Sequence, residues 1–322
     1  MNTVTVSAPG KLLLLGDHAV VYNRPCLVTA VGQRMQATVS LVDEHTLSLE
    51  APEVGIYGYR KALKDLGGDT IPKNVQFIEN VVHNFNKRYP LSKGVIIRTK
   101  SDFSSTFGFG SSSAVTVCVL KAISQLCGQR LDNKSLFKLA YQTILDVQGV
   151  GSGFDIAAAI YGGILYFVGG GEKIEQLSVK KISLIVGYSG VKADTPSLVR
   201  SVAAQMKTAP ALYQQLFDSS TYCVEEGRKS IVDRDFESFG RMMNYNEGLL
   251  ASMGVETGML SAMIYVARDA GAYGAKLSGA GGGDCMIAVA PPEKVSDVKA
   301  AITKVGGQII EVTTNVQGVL LV

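Results

Sequence analysis

The chain is 322 residues long, 47% hydrophobic and 18% charged, which describes a folded protein with one large or two ordinary domains and excludes a disordered one. With 31 basic against 28 acidic residues the net charge is +3 and no basic run occurs, so no nucleic-acid partner is expected; a phosphate-bearing ligand needs only local positive charge. The five cysteines (Cys26, Cys118, Cys127, Cys223, Cys285) form no CxxC pair, which points away from a zinc site or a disulfide framework and fits a reducing cytoplasm.

In chain order, Thr3–Ala8 alternates as a strand, Pro9-Gly10 is expected to break it into a turn at Lys11, and Leu12–Leu15 reads as a second strand. That apolar run is far too short to span a bilayer, and the start lacks the plan of a signal peptide, so no membrane partner is expected. Polar Asp17 and His18 then stand abruptly in apolar sequence. Strand pattern covers Cys26–Val39 and Leu47–Ala51, and Ile56–Leu66 reads as helical. Asn74–Tyr89 is a better helix, with Val75, Ile78, Val81, Val82 and Phe85 on one face and Pro90 as its stop.

Gly94–Lys100 is a strand by its β-branched content, and it feeds Phe107-Gly-Phe-Gly-Ser-Ser-Ser-Ala114, a glycine-rich loop opening the helical stretch Val115–Leu126. Strand, glycine loop and helix together present free first-turn N–H groups to an anion. Taken alone, the loop serves equally well as a serine-capped helix start. It is neither a Walker A nor a Rossmann sequence, since no Gly-Lys-Ser/Thr follows and the glycine spacing differs.

Asp132 is positioned to cap a helix over Leu136–Gln148. Gly149-Val-Gly-Ser-Gly-Phe-Asp155 then delivers a carboxylate at the start of another apolar helical turn, where it must be used or capped. Ile164–Val168 is a strand, and Gly169–Gly171 suggests a division into domains 1–170 and 171–322. The second half reads as a strand at Lys181–Tyr188, helices at 197–207, 209–231, 236–253 and 258–270, and a glycine loop over Tyr273–Gly283. A strand at Asp284–Ala290, a helix at Val295–Val305 and strands at Gln308–Thr313 and Val316–Val322 complete an α+β pattern.

Three turns, Pro9-Gly-Lys11, Gly108–Ser113 and Ser278–Gly283, together with Asp155, resemble the GHMP kinase superfamily (galactose, homoserine, mevalonate and phosphomevalonate kinases) along essentially the whole chain. Within it, Ser7–Lys11 followed by Gly16–Tyr22, the Asn244–Val255 segment and Gly271–Leu277 are most similar to the mevalonate kinase family, with Asp17 where glutamate is usual. Val150–Gly162 and Gly281–Cys285 are closer to phosphomevalonate kinases.

The resemblance implies a two-domain α+β fold, S5-like then ferredoxin-like, with the active site between the domains. It implies ATP and Mg²⁺, a small-molecule acceptor and a cytoplasmic setting, and it leaves room for a homodimer. Asp155 and Lys11 are implied as a catalytic charge pair; His18, Asp17, Ser152 and Gly153 as acceptor contacts. Gly108, Phe109, Gly110, Ser111, Ser112 and Ser113, with Gly279, Gly281 and Gly282, are implied as nucleotide contacts. Ser112 is implied as a Mg²⁺ ligand. The family's Mg²⁺ glutamate falls at Ile144, which leaves two alternatives: Asp146 as a substitute ligand, or Mg²⁺ held by Ser112 and the phosphates alone. Lys11 argues against the superfamily's decarboxylases, and the retention of both Lys11 and Asp155 argues against a non-catalytic sensor. Mevalonate is the expected acceptor, with phosphomevalonate as the alternative.

Overall fold

A computed structural model describes residues 3–68 and 70–322. Two sheets organise the chain. The first is built on a long antiparallel pair, β1 (Thr3–Leu15) and β2 (Pro25–Val42). Its order continues through β5 (Gly94–Ser101), β3 (Thr46–Ala51) and β4 (Ile56–Ala62); β6 (Ile164–Val168) pairs with β2, and β7 (Ile174–Gln176) pairs with β6. β3 and β5 run parallel, joined through α1 (Gln76–Arg88). One face of this sheet is covered by α1, α2 (Ser111–Leu126), α3 (Asn133–Gln148) and α4 (Phe154–Tyr161).

The second sheet has the order β11-β8-β10-β9, built from β8 (Ile185–Tyr188), β9 (Gly274–Ser278), β10 (Cys285–Val289) and β11 (Gln308–Ile310). Counting its strands from its own first, that is 4-1-3-2 and antiparallel throughout, the ferredoxin-like arrangement the resemblance implied. Between β8 and β9 run α5 (Thr195–Thr208), α6 (Pro210–Asp233), α7 (Phe236–Ser252) and α8 (Gly258–Asp269); α9 (Val295–Lys304) follows β10. α8 and α9 bury Leu260, Met263, Val298 and Ile302 against Met286 and Ala288 of this sheet. No helix among the described residues is long and apolar enough to cross a membrane.

Pro9-Gly10 is not a turn. β1 runs straight through it, with a register irregularity between Pro9 and Gly10, where Pro9 pairs Arg34 but Gly10 pairs Val31. This irregularity switches which face each residue presents. Before it, Val4, Val6 and Ala8 pack toward the helices; after it Leu13 does, while Leu12 and Leu14 turn into the core between the two sheets. Lys11 shares the parity of Leu13, so the irregularity aims it at the helix side.

Other expectations are corrected as well. Ile56–Leu66 is largely strand β4, because it pairs antiparallel with β3. The first part of the Tyr273–Gly283 loop is strand β9. The boundary at residue 170 does not separate the sheets: β7 lies beyond it in the first sheet, and β12 (Leu320–Leu321) returns to pair with β1.

Candidate active site

A cleft of about 1010 Å³ opens where the two sheets meet, at the upper end of the range for small-ligand pockets and roomy enough for two substrates. Lys11 from β1, His18 from the segment after it, the N-terminal turns of α2 and α4, and Gly279, Ala280 and Asp284 from the loop between β9 and β10 all line it.

The helix starts define its chemistry. α2 begins after Gly110 (φ 76°) and α4 after Gly153 (φ 91°), and neither has a side-chain cap. By contrast α3 and α5 are capped by Asp132 and Asp194. First-turn N–H groups have no partner within their own helix, so two uncapped helix ends direct unsatisfied donors and positive dipole ends at one space. Ser111, Ser112 and Ser113 follow Gly110 on the cleft wall. A side chain at Gly110 would come within 3.3 Å of Lys11 Cε and 3.4 Å of Asp155 Cβ, so a glycine is what lets these three elements converge.

Lys11 and Asp155 do meet at the cleft, but not as an ion pair. The Lys11 ammonium donates to the Gly108 carbonyl at 2.9 Å and stands 5.2 Å from the centre of the Phe154 ring, and it is 7% exposed. Asp155, half-buried in the first turn of α4, has no hydrogen-bond or ion-pair partner among the described residues. The main chain at Lys11 is tied to the same loop, its N–H donating to Phe109 O at 3.0 Å.

Ser152 and Gly153 line the cleft, as does His18, which adopts a positive φ of 58°. Its Nε2 lies 2.9 Å from the Ala280 carbonyl, which makes Nε2 the protonated nitrogen; Nδ1 has no partner among the described residues. Burial lowers the His18 pKa below its ordinary 6.5, against the opposing pull of the Ala280 carbonyl and Asp17. The imidazole is therefore neutral near pH 7.

Several expected contacts lie elsewhere. Asp17 is fully buried and does not reach the cleft: it pairs with Lys276 at 2.6 Å and accepts from Gly279 N–H at 2.8 Å. Phe109 turns its ring into the core beside Phe103 and Phe107. Gly281 and Gly282 face protein: a side chain at Gly281 would run into the Val255 carbonyl, and one at Gly282 would lie 2.7 Å from Leu198 Cδ1. Asp146 is exposed on α3 and engaged by Asn84 and Gln142, whereas Ile144, Val147 and Gln148 are the α3 residues on the cleft wall. Two positions along a helix is roughly 200° of rotation, so Asp146 faces away from Ile144.

Asp284 is the residue sequence reasoning passed over. It holds a positive φ of 56°, accepts from Ala193 N–H at 2.9 Å, and fills the space beside Gly108 that a side chain there would need. Burial raises its pKa, with the Ala193 N–H, Lys11 and Lys192 opposing. A carboxylate directly after a run of three glycines was the available signal. Lys73, Lys192 and Arg200 add cationic side chains to the lining.

Known proteins share this architecture. The model of the GHMP kinases N terminal domain matches residues 76–163, and that of the GHMP kinases C terminal domain matches residues 228–308. A mevalonate kinase of Thermococcus gammatolerans is 34% identical over 319 residues, covering 94% of each chain. One of Pyrococcus furiosus is likewise 34% identical over 319 residues, again covering 94% of each. The crystal structure of the Methanococcus jannaschii mevalonate kinase superposes with a TM-score of 0.81 over 98% of both chains at 23% identity, a likeness of fold. An ATP-dependent kinase cleft between an S5-like and a ferredoxin-like half is what these observations describe, and the chain belongs to the GHMP kinase family.

Proposed function

We propose that this chain transfers the γ-phosphoryl group of ATP to the primary hydroxyl of mevalonate, giving 5-phosphomevalonate. The observation that carries this reading is Asp155: a half-buried carboxylate without a partner among the described residues, in the first turn of α4 and beside Lys11 and Gly110. The full-length relatives named mevalonate kinase support the choice of acceptor.

Phosphoryl transfer asks a protein for positioning and for charge compensation around a loose transition state. The N–H groups of Ser111–Ser113 and the Ser112 hydroxyl serve the triphosphate at the α2 end. Asp155 accepts the proton of the acceptor hydroxyl as it attacks. Lys11, held by the Gly108 carbonyl and the Phe154 ring, places a fixed positive charge between the phosphate loop and the base, where negative charge moves during transfer. His18, Ser152 and Gly153 form the acceptor wall.

Mg²⁺ accompanies such a nucleotide. Of the carboxylates on the cleft wall, Glu53 is engaged by Thr99, Asp194 by Ser197 and Asp284 by Ala193 N–H, which leaves Asp155 as the carboxylate without a partner among the described residues, beside the hydroxyls of Ser111, Ser112 and Ser113. No group of three or more His, Cys, Asp or Glu among the described residues could hold a metal ion. That donor set fits Mg²⁺ which takes most of its ligands from phosphates and water, with Ser112 as the protein contact. When bound, the ion would neutralise charge on the phosphates.

The test is a panel of acceptors with purified protein and Mg·ATP: mevalonate, phosphomevalonate, homoserine and galactose. Mevalonate should give the highest kcat/KM. A preference for phosphomevalonate would reassign the acceptor and give Lys192 and Arg200 a second anionic group to bind. No turnover with any of the four would overturn the reading.

A further inference from the structure

Lys276 is fully buried on β9, and its ammonium reaches across to Asp17, also fully buried, 259 positions earlier in sequence. Burying two charges is costly, and a buried ion pair is seldom the best way to gain stability. Apolar side chains of similar size would fill the space as well, so the pair calls for another explanation.

Its geometry supplies one. Asp17 uses Oδ2 for the Lys276 ammonium at 2.6 Å and Oδ1 for the Gly279 N–H at 2.8 Å. The next residue on each side repeats the link, His18 Nε2 donating to Ala280 O at 2.9 Å. The base of the loop is fixed too: the Ser278 hydroxyl bridges Leu13 N–H and Leu13 O at 3.0 Å each, and Glu247 Oε2 accepts from Leu277 N–H at 2.8 Å. Gly279 and Ala280 line the cleft at the start of the loop, as Asp284 does at its end, and a side chain at Gly279 would meet nothing within 4 Å. The cleft-facing peptide therefore hangs from Asp17 and His18, and Lys276 fixes the orientation of the Asp17 carboxylate.

We propose that Asp17 and Lys276 are positioning residues, which set the Gly279–Ala280 backbone and the His18 ring as one wall of the acceptor site. They act through the loop and touch neither substrate. The inference rests on the kinase reading above for its kinetic consequence, though not for its structural one. This assigns Gly279 to the acceptor wall rather than to the nucleotide contacts that the resemblance implied; the phosphate loop is held by Lys11 N–H on Phe109 O and the Lys11 ammonium on Gly108 O, so nucleotide binding should be independent of the pair.

Asp17→Asn is isosteric but has one acceptor oxygen, which cannot serve both the ammonium and the Gly279 N–H without turning a donor toward one of them. The double variant Asp17→Asn/Lys276→Met leaves neither member of the pair as an unpaired buried charge and is the safer one to fold. Two measurements are made on both variants and on Asp17→Glu. The first is amide hydrogen exchange at residues 279–281 in the protein without substrates. The second is steady-state kinetics with separate binding of a fluorescent ATP analogue. Loss of a charge-assisted hydrogen bond should speed exchange at Gly279 by about tenfold or more and raise the acceptor KM by a similar factor. The Kd for the ATP analogue should stay within about twofold, and Asp17→Glu, which restores the charge, should recover most of both losses. Unchanged Gly279 exchange in the variants would overturn the proposal. So would a lowered Tm with wild-type acceptor KM, because a space-filling pair would behave that way. If the wild-type chain phosphorylates none of the four acceptors the kinase reading fails, and the exchange measurement still decides this one.

Discussion

The two glycine-rich loops of the cleft use the same residue for close approach, with different consequences for a ligand. In the loop before α2, glycine lets cleft side chains converge: Gly108 makes room for Asp284 and Gly110 for the Lys11 stem and Asp155, and the helix after it is left without a side-chain cap. In the loop between β9 and β10, three glycines admit protein that does not line the cleft. Gly281 lies against the Val255 carbonyl, Gly282 against Leu198, and a side chain at Gly283 would stand 2.6 Å from Val191 O. Gly282 N–H is already spent on Val255 O at 2.7 Å, and Gly279, Ala280 and, past the three glycines, Asp284 are the residues of this loop that reach the cleft. The first loop is a receptor, and the second is a wall whose outer face is packing. A glycine motif therefore names a close approach without saying what approaches.

The sharpest contrast is chemical and sits beside the first loop. Asp155→Asn keeps the shape of the site but removes the base, and kcat should fall by ~10²–10⁴-fold. The KM values for both substrates should change little in steady-state assays, because the lost interaction acts in the transition state. Lys11→Met should also lower kcat, and the double variant should lose less than the product of the two, as expected for neighbouring groups. A near-normal kcat in Asp155→Asn would remove the carboxylate from the mechanism.

The same substitution in each loop should then separate their roles. At Gly281, alanine forces a side chain into the Val255 carbonyl at a positive φ, which should cost about 3 kcal/mol or more, read as a lowered Tm with an unchanged ATP KM. At Gly110, alanine pays only ~1–2 kcal/mol of left-handed strain and should keep most of the Tm. It should nevertheless raise the ATP KM by about tenfold, since it crowds the approach to Lys11. Swapped phenotypes would break the comparison.

The smallest effect is a pH dependence confined to the second loop. His18 has its pKa lowered in the folded chain, so from just below 6.5 down to the folded value the unfolded chain binds more protons. The His18 contribution to stability is complete above 6.5 and is lost as pH falls. Glu247, which holds Leu277 N–H, slopes the other way: burial raises its pKa to about 7, so its contribution is lost as pH rises toward neutrality. Thermal unfolding of His18→Asn should accordingly show a flatter acid limb than the wild type between pH 6.5 and 5. Parallel limbs would mean that the ring carries no such linkage.

What could be read from the sequence was whatever a local backbone dictates. That helices follow the two glycine turns was legible because glycine before an apolar run favours a helix N-terminus, although α2 begins at Ser111 rather than at the expected Val115; the roles proposed for Lys11, Ser112 and Asp155 came with that reading. What depends on a side chain's direction was not. Phe109 lies in the phosphate loop yet points into the core, and Asp146, one of the two alternatives for the Mg²⁺ site, is turned away from Ile144 by helical rotation. Ile56–Leu66 read as a helix because Ile56, Tyr59 and Lys61–Leu63 mimic its spacing; long-range pairing with β3 decides otherwise. The partnership of Asp17 with Lys276 spans 259 positions and two sheets, and no local pattern reports it.

The last residues carry a topological consequence. β12 lies against β1, Val322 N–H donates to Thr5 O at 3.0 Å, and Arg34 grips the carbonyls of Gln317 and Gly318 on the way. The polypeptide thus passes from the first body to the second after β7 and passes back after β11. Two tethers, rather than one, join the halves. The core between the two sheets already packs the halves together, and the second tether adds a covalent limit on how far they can part. Residues 5–7 and 320–322 are neighbours in one sheet, so pulling β12 away would unzip an edge of the first sheet as well as release the second tether.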